Sequence, residues 1–298
     1  MTARTASGAA GLVRTAAIRR LTDVAAIRAR LKTAPAFTAY AQAYLDPRLF
    51  PFAEFYEASF EQRFALMMHA RGGLGTSTLA LGDPDAVAAL VRLHPGPHQT
   101  FITCESEHVD KLLVSHNLWR PQTMLRMRLD RAAFTPPTLT GVRRLIAADA
   151  DDLNDLYAIE GDGLRYTGRQ VEQGIYFGAH VRGRLVAAAG THIHSFKEGV
   201  GVIGNVFTHP DFRGHGLGTA VTAAVAQGLL QSCDLVVLNV DPANRTARHI
   251  YEQIGFTEAG RLVEAMATRR ESTTPVPFIR RFIARWRSHE AGVETVTL

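Results

Sequence analysis

Between Arg213 and Gly218 the chain reads Arg-Gly-His-Gly-Leu-Gly, and three glycines at alternate positions are hard to place inside any regular element. Glycine loses more backbone freedom on ordering than other residues, so it weakens helix and strand interiors alike. The flanks are nevertheless strongly patterned. Val202 to Thr208 reads as a strand, and about Leu217 to Gln231 reads as an apolar, alanine-rich helix. The chain must therefore pass from strand to helix through a turn of nearly bare backbone. Unpaired N–H groups at the start of that helix, with its positive dipole end, predict an anion site fit for a diphosphate, and Arg213 adds a cation at its entrance. Other phosphate patterns fit poorly. Gly214, Gly216 and Gly218 do not have the GxGxxG spacing, and the lysine of an ATP-type loop is missing, as it is after Leu74-Gly75-Thr76-Ser77.

The residues that follow extend the pattern. Asp234 to Val240 is a continuous apolar strand, expected to be buried on both faces. Asp241-Pro242-Ala243-Asn244 ends it, with Asn244 capping a helix that runs to about Ile254 and stops at Gly255. Tyr251 lies seven residues after Asn244, two turns along one helix face. Singly, Tyr251 would be a core aromatic, Asn244 a cap and the glycines a turn; their joint order and spacing point to a site.

Upstream, Val142 to Ile146 reads as a strand and Asp149 to Ile159 as a helix with acids in its first turn. Residues 161–174 read as loop or short helix, and Tyr176–Val181 and Leu185–His192 as a hairpin turning at Arg182-Gly183-Arg184. Thr135-Pro136-Pro137-Thr138 is the best domain boundary. Before it, Phe52 to Met68 carries an apolar stripe that predicts one amphipathic helix. A short helix (Ala86–Leu93), a strand (Thr100–Cys104), a helix (Val109–His116) and a strand (Thr123–Leu129) follow. The resulting division is a disordered basic tail (1–32), a degenerate N-terminal αβ domain (33–134), a motif-bearing αβ domain (135–270) and a basic amphipathic C-terminal tail (271–298).

Charge supports that division. The net charge is +5, but residues 1–32 carry +6, residues 269–298 carry +3 and the body carries −4. The basic ends, not the body, set the pI, so nucleic acid is not the expected partner. An Arg-rich arm on nucleic acid stays open as a rival reading, testable by salt dependence. No run of about 18 apolar residues predicts a membrane span. Two distant cysteines, Cys104 and Cys233, form no metal or disulfide framework and suit a reducing, cytoplasmic setting. The C-terminal stripe Phe278, Ile279, Phe282, Ile283 and Trp286 suits packing on the body or a homodimer partner, or an anionic membrane surface.

Arg213-x-x-Gly216-x-Gly218, then Asn244, Tyr251 and Gly255-Phe256, resembles the GNAT superfamily of acyl-CoA N-acyltransferases over about residues 140–268. The two-half layout is more loosely similar to the glycine N-acyltransferase-like group. The resemblance implies an α/β fold with a mixed sheet, a degenerate, GNAT-like N-terminal half, and acetyl-CoA or another acyl-CoA as co-substrate without a metal. It implies that Val206, Phe207 and Thr208 pair with the pantetheine arm, with the backbone near Val206 facing the thioester oxygen. Arg213, Gly214, His215, Gly216, Leu217, Gly218 and Thr219 would hold the pyrophosphate, Asn244 would lie near the pantetheine, and Tyr251 would protonate the leaving thiolate. The acceptor would be a small-molecule or peptide amine. One departure stands out: the usual carboxylate positions hold Val202, Asn205 and Asn239, leaving His192, His194 and His209 as candidate bases. Glu160 and Asp162 lie on the expected acceptor loop. A non-catalytic acyl-CoA sensor is the alternative, and binding without turnover would mark it.

Overall fold

The computed structural model describes residues 15–72, 75–137, 141–160, 165–270 and 293–297. In chain order it contains β1 (Thr15–Leu21), α1 (Val24–Leu31), α2 (Ala39–Ala43), β2 (Ala53–Phe60), β3 (Arg63–Gly72), β4 (Gly75–Gly82), α3 (Pro84–Leu93), β5 (Gln99–Cys104), α4 (Val109–Leu112) and β6 (His116–Leu129). The second half has β7 (Val142–Arg144), α5 (Ala150–Tyr157), α6 (Gly168–Gln173), β8 (Phe177–Val181), β9 (Arg184–Ser195), β10 (Val200–Thr208), α7 (Leu217–Leu230), β11 (Leu235–Val240), α8 (Arg245–Ile254), β12 (Phe256–Arg269) and β13 (Glu294–Thr297). The fold class is the mixed α/β architecture expected.

All of these strands join one sheet, ordered β13-β1-β2-β3-β4-β5-β12-β6-β11-β10-β9-β8-β7. The two halves repeat one plan. In each, antiparallel strands lead to a parallel pair, β4 with β5 and β10 with β11, joined by a crossover helix, α3 or α7. The last strands are exchanged. β6, from the first half, pairs with β11 of the second, and β12, from the second, pairs with β5 of the first. β6 and β12 also run antiparallel to each other from His116 to Leu129. Thr135 lies between β6 and β7, but residues 135–270 do not contain β6, one of the strands of their own sheet.

Helix α7 buries Ala220, Val221, Ala223, Ala224, Val225, Ala226, Leu229 and Leu230, small residues that let it lie close against β9 and β10. On the opposite face, α2 from the first half packs against Val200, Val202, Leu235 and Val237 through Ala39 and Tyr40. Two polar contacts fix it there. Buried Asp46 accepts a hydrogen bond from Ser195 Oγ at 2.8 Å, and Arg28 pairs with Glu198 at 3.0 Å.

Three expectations need correction. Phe52–Met68 is not a helix but the hairpin of β2 and β3, turning at Glu61 with φ 52°. Helix α3 covers one face of this hairpin and α1 with α2 the other, so both faces are apolar and strand alternation disappears from the sequence. Residues 15–32 are not a disordered tail. They form β1 and α1, and their arginines are used: Arg19 and Arg30 pair with buried Glu57, and Arg20 with Glu54. The helix of Val109–His116 is shorter, ending at Leu112 where β6 takes over from His116. The apolar stripe at 278–286 lies outside the described residues, while Glu294–Thr297 adds a strand beside β1.

Candidate active site

Strands β10 and β11 pair from Val200 to Ile203 and no further, although both continue toward the same end of the sheet. A register shift against β9 between Gly204 and Phe207, with Asn205 at φ 54°, turns β10 away. The Tyr157 hydroxyl donates to Asn205 O at 2.6 Å and pins the bulge. The wedge between the strands leaves backbone polar groups facing it, an edge that an extended amide-bearing chain can join as a strand does.

The wedge opens into a cleft of about 790 Å³. Val206, Phe207, Thr208, Arg213, Gly214, Gly216, Leu217, Gly218, Thr219, Asn244 and Tyr251 line it, so the structure brings together every expected site residue but one. The exception is His215, whose Nδ1 donates to Arg213 O at 2.9 Å. Gly214 and Gly216 have φ of 81° and 74°, and an added Cβ would meet nothing within 4 Å at either. Their requirement is conformational, because left-handed backbone disfavours side chains. The open space beside them is where a ligand can approach bare amides. Gly216 is the N-cap of α7 and offers no capping side chain, so the first N–H groups of a 14-residue helix point into the cleft uncapped. A diphosphate fits this cradle in charge and in hydrogen bonding.

The equivalent place in the first half shows the contrast. Helix α3 begins at Asp83, whose Oδ1 accepts from the N–H groups of Asp85 and Ala86 at 3.0 and 3.1 Å. That carboxylate occupies the helix start that α7 leaves open.

Arg213 sits at the mouth, half exposed. It pairs with Glu160 at 2.6 Å, donates through Nε to Thr208 O and lies over the Phe207 ring. Glu160 therefore faces Arg213 on the cofactor side; Asp162 lies outside the described residues. Asn244 caps α8 by accepting from Ala247 N–H at 3.0 Å. Tyr251 is 6% exposed, packed edge-to-face on Phe256, and burial pushes its phenol up to about 12.

The candidate bases separate. His209 spends Nδ1 on the Asp211 N–H and contacts Arg184 through Nε2. His194 packs at a tilt against Phe196, with its imidazole held below the ordinary range by burial. His192 is open to water yet wrapped by neighbouring protein, its ring against Gly204, and burial with the Arg126 charge pushes it down to about 4. Two residues that sequence reasoning missed lie beside the cleft floor. Asn239, which lines the cleft, donates to Glu264 Oε1 at 2.6 Å, and Arg126 is paired across the ladder with Asn239. Burial raises the Glu264 carboxyl above the ordinary range, partly offset by Arg126 and the Asn239 bond. No motif or spacing in the sequence marks Arg126 or Glu264 as part of a site; the strand exchange brings both beside Asn239. The thiols are not candidates, since burial pushes Cys104 up to about 12 and Cys233 up to about 11.

Comparison with known proteins agrees with this geometry. Residues 176–267 match the FR47-like protein family model. A mycothiol acetyltransferase of Thermobispora bispora is 41% identical over 87 residues, which span 28% of this chain and 30% of that protein. Among solved structures, a Drosophila protein superposes with a TM-score of 0.61 at 17% identity, covering 84% of this chain and 98% of its own. A protein assigned to the GNAT family from Novosphingobium aromaticivorans gives 0.51 at 20% identity, covering 69% and 89%. A GCN5-related N-acetyltransferase from Sphaerobacter thermophilus gives 0.50 at 15% identity, covering 86% and 98%. At these identities the structures establish a shared fold, the one seen in GNAT acetyltransferases, and the FR47-like match of residues 176–267 falls on the part of the chain that carries the splayed strands and the glycine cradle.

Proposed function

We propose that the protein transfers an acyl group, acetyl first of all, from acyl-CoA to a primary amine by direct attack. The observation that carries this reading is the union, in one cleft, of an uncapped helix start, a strand wedge and a buried tyrosine. The mycothiol acetyltransferase likeness supports acetyl as the group moved.

Bound acyl-CoA supplies a thioester whose carbonyl carbon the amine attacks and whose sulfur leaves. The amides from Gly214 to Thr219 and the Arg213 guanidinium hold the diphosphate; Glu160 must yield Arg213 to it. The β10 edge from Val206 to Thr208 aligns the pantetheine, and the backbone near Val206 faces the thioester oxygen. Tyr251 gives its proton to the departing sulfur. With the phenol at about 12 it stays protonated across the working pH range. A thiol of ordinary pKa about 8.5 is the weaker base, so the Tyr251 proton is best given as C–S cleavage builds charge on sulfur. Glu264, made more basic by burial and hydrogen-bonded to the cleft-lining Asn239, takes the amine proton in this reading.

The test is release of free coenzyme A thiol with a panel of amino acids, polyamines, aminoglycosides and peptide N-termini. The wild type should turn over at least one class. Tyr251→Phe should lower kcat by about 100-fold, the lower end for a lost general acid, with the acetyl-CoA KM nearly unchanged. Equal kcat in the two proteins would remove Tyr251 from the mechanism.

A further inference from the structure

At the splay of β10 the backbone is held where a regular strand would not go. Asn205 sits in left-handed backbone at φ 54°, inside the register shift between Gly204 and Phe207. Side chains rarely adopt that conformation, and it persists only where the surroundings over-determine it. Next to it, the His192 ring lies so close to Gly204 that an added Cβ would collide with it. From the end of α5, the Tyr157 hydroxyl donates to Asn205 O at 2.6 Å. That carbonyl and the Val206 N–H belong to one planar trans peptide unit, in which the two point in opposite directions. A hydrogen bond that fixes the carbonyl therefore aims the N–H. It also polarises the amide, which makes that N–H a stronger donor. Val206 lines the cleft.

Tyr157 is itself firmly held. It is the last residue of α5, and its ring lies at a tilt to Tyr166, 5.6 Å between centroids, and edge-on to Phe207 at 6.3 Å. Burial, with the Tyr176 and Tyr166 phenols nearby, pushes its own phenol well above the ordinary range, so the hydroxyl keeps its proton and remains a donor. Three residues further on, Glu160 pairs with Arg213 at 2.6 Å. The end of α5 and the turn after it thus touch both the bulge and the cation at the cleft mouth. The ring contacts account for packing; the hydroxyl adds a direction.

We propose that Tyr157 is a positioning residue of the acyl transfer, acting through the Asn205–Val206 peptide to aim the Val206 N–H at the thioester oxygen. The inference rests on the acyl-CoA reading of the cleft and adds to it the residue that sets the direction of one donor. As the amine attacks the carbonyl carbon, the C–O π electrons move onto the oxygen. They return as the C–S bond breaks and the sulfur takes the Tyr251 proton. The Val206 N–H meets the full charge on oxygen only between those events, so its aim counts more in the transition state than in the bound ground state.

The test uses the full chain and acetyl-CoA carrying a heavy carbon isotope at the thioester carbonyl, read by difference infrared spectroscopy, beside kinetics with an amine that the thiol-release panel identifies. In the wild type the bound carbonyl band should lie below that of free acetyl-CoA. Tyr157→Phe keeps the ring and removes the hydroxyl. It should lose about half or more of that displacement and lower kcat about tenfold, less than the ~100-fold of a donor removed outright. The KM of both substrates and the calorimetric affinity for acetyl-CoA should stay within about twofold of the wild type. Where the single variant does not fold, Tyr157→Phe is combined with Asn205→Gly, whose glycine takes φ 54° freely, and is read against Asn205→Gly alone with the same loss expected. A bound band at the free position in the wild type, a band unmoved by Tyr157→Phe, or a loss confined to KM and acetyl-CoA affinity overturns the inference while leaving the cofactor reading intact. A wild type that takes up no acetyl-CoA overturns both.

Discussion

Gly216 concentrates the chemistry of the cofactor end in one backbone. Its φ of 74° is left-handed, and it begins α7 without a side chain to cover the helix amides. Gly216→Asp introduces a carboxylate where a diphosphate is to bind, with a backbone cost of about 1 kcal/mol. Gly216→Asn carries similar bulk and tolerates the same φ without the charge. Calorimetry should show acetyl-CoA binding lost in the aspartate variant, by about 100-fold or more, and weakened less than tenfold in the asparagine variant. These ratios follow from about 3 kcal/mol for charge placed against charge and under about 1.4 kcal/mol for shape. Similar losses in both would mean that sterics, not electrostatics, govern the loop. Gly214, Gly216, Asn244 and Tyr251 were legible in the sequence because each obeys a local rule of turn, cap or helix spacing. Arg126 and Glu264 were not, because a charged residue on a strand looks the same whether water or packed protein lies above it.

At the level of elements, the two crossover helices make the sharpest comparison. α7 follows Gly216 and starts uncapped; α3 follows Asp83 and starts capped by that carboxylate. The halves share a sheet plan, yet one helix start invites an anion and the other supplies its own. Calorimetric titration should therefore give one acetyl-CoA per chain. Two equivalents would show that α3 also binds, against the capping seen at Asp83. The same comparison explains which elements could be read in advance. Helix α7, β11 and α8 follow in close order, each bounded by glycine, proline or asparagine, and the sequence divides them nearly as the structure does. The β2–β3 hairpin has neither glycine nor proline at its Glu61–Gln62 turn and is covered on both faces, so its aromatics mimicked a helical stripe.

The whole molecule is one sheet in which β6 and β12 are traded between halves. Such an exchange is invisible to composition, which can mark a Pro-Pro linker but not which strand lies beside which. It also makes stability a shared property. His69, deep in the first half, is 5% exposed, with Nδ1 on Thr78 Oγ1 and Nε2 donating to His94 O. Burial pushes its imidazole down to about 4, so the folded state keeps it neutral where an unfolded chain would protonate it. The unfolded state then binds more protons between about 6.5 and 4, and stability must fall as pH drops through that window. The loss from His69 is about 2 kcal/mol at pH 5, and His116, lowered by the same cause, adds in the same direction. Urea midpoints at pH 7 and pH 5 check this; a midpoint that does not move would mean that His69 is charged in the fold.

Cofactor binding, as proposed, depends on the amides between Gly214 and Thr219 seating a diphosphate. A crystal structure of the protein grown with acetyl-CoA tests it directly. The diphosphate oxygens should lie within hydrogen-bonding distance of those amides, the pantetheine should run along Val206–Thr208, and the sulfur should face Tyr251. Acetyl-CoA bound at another surface, with the α7 N-terminus left to solvent, would contradict it.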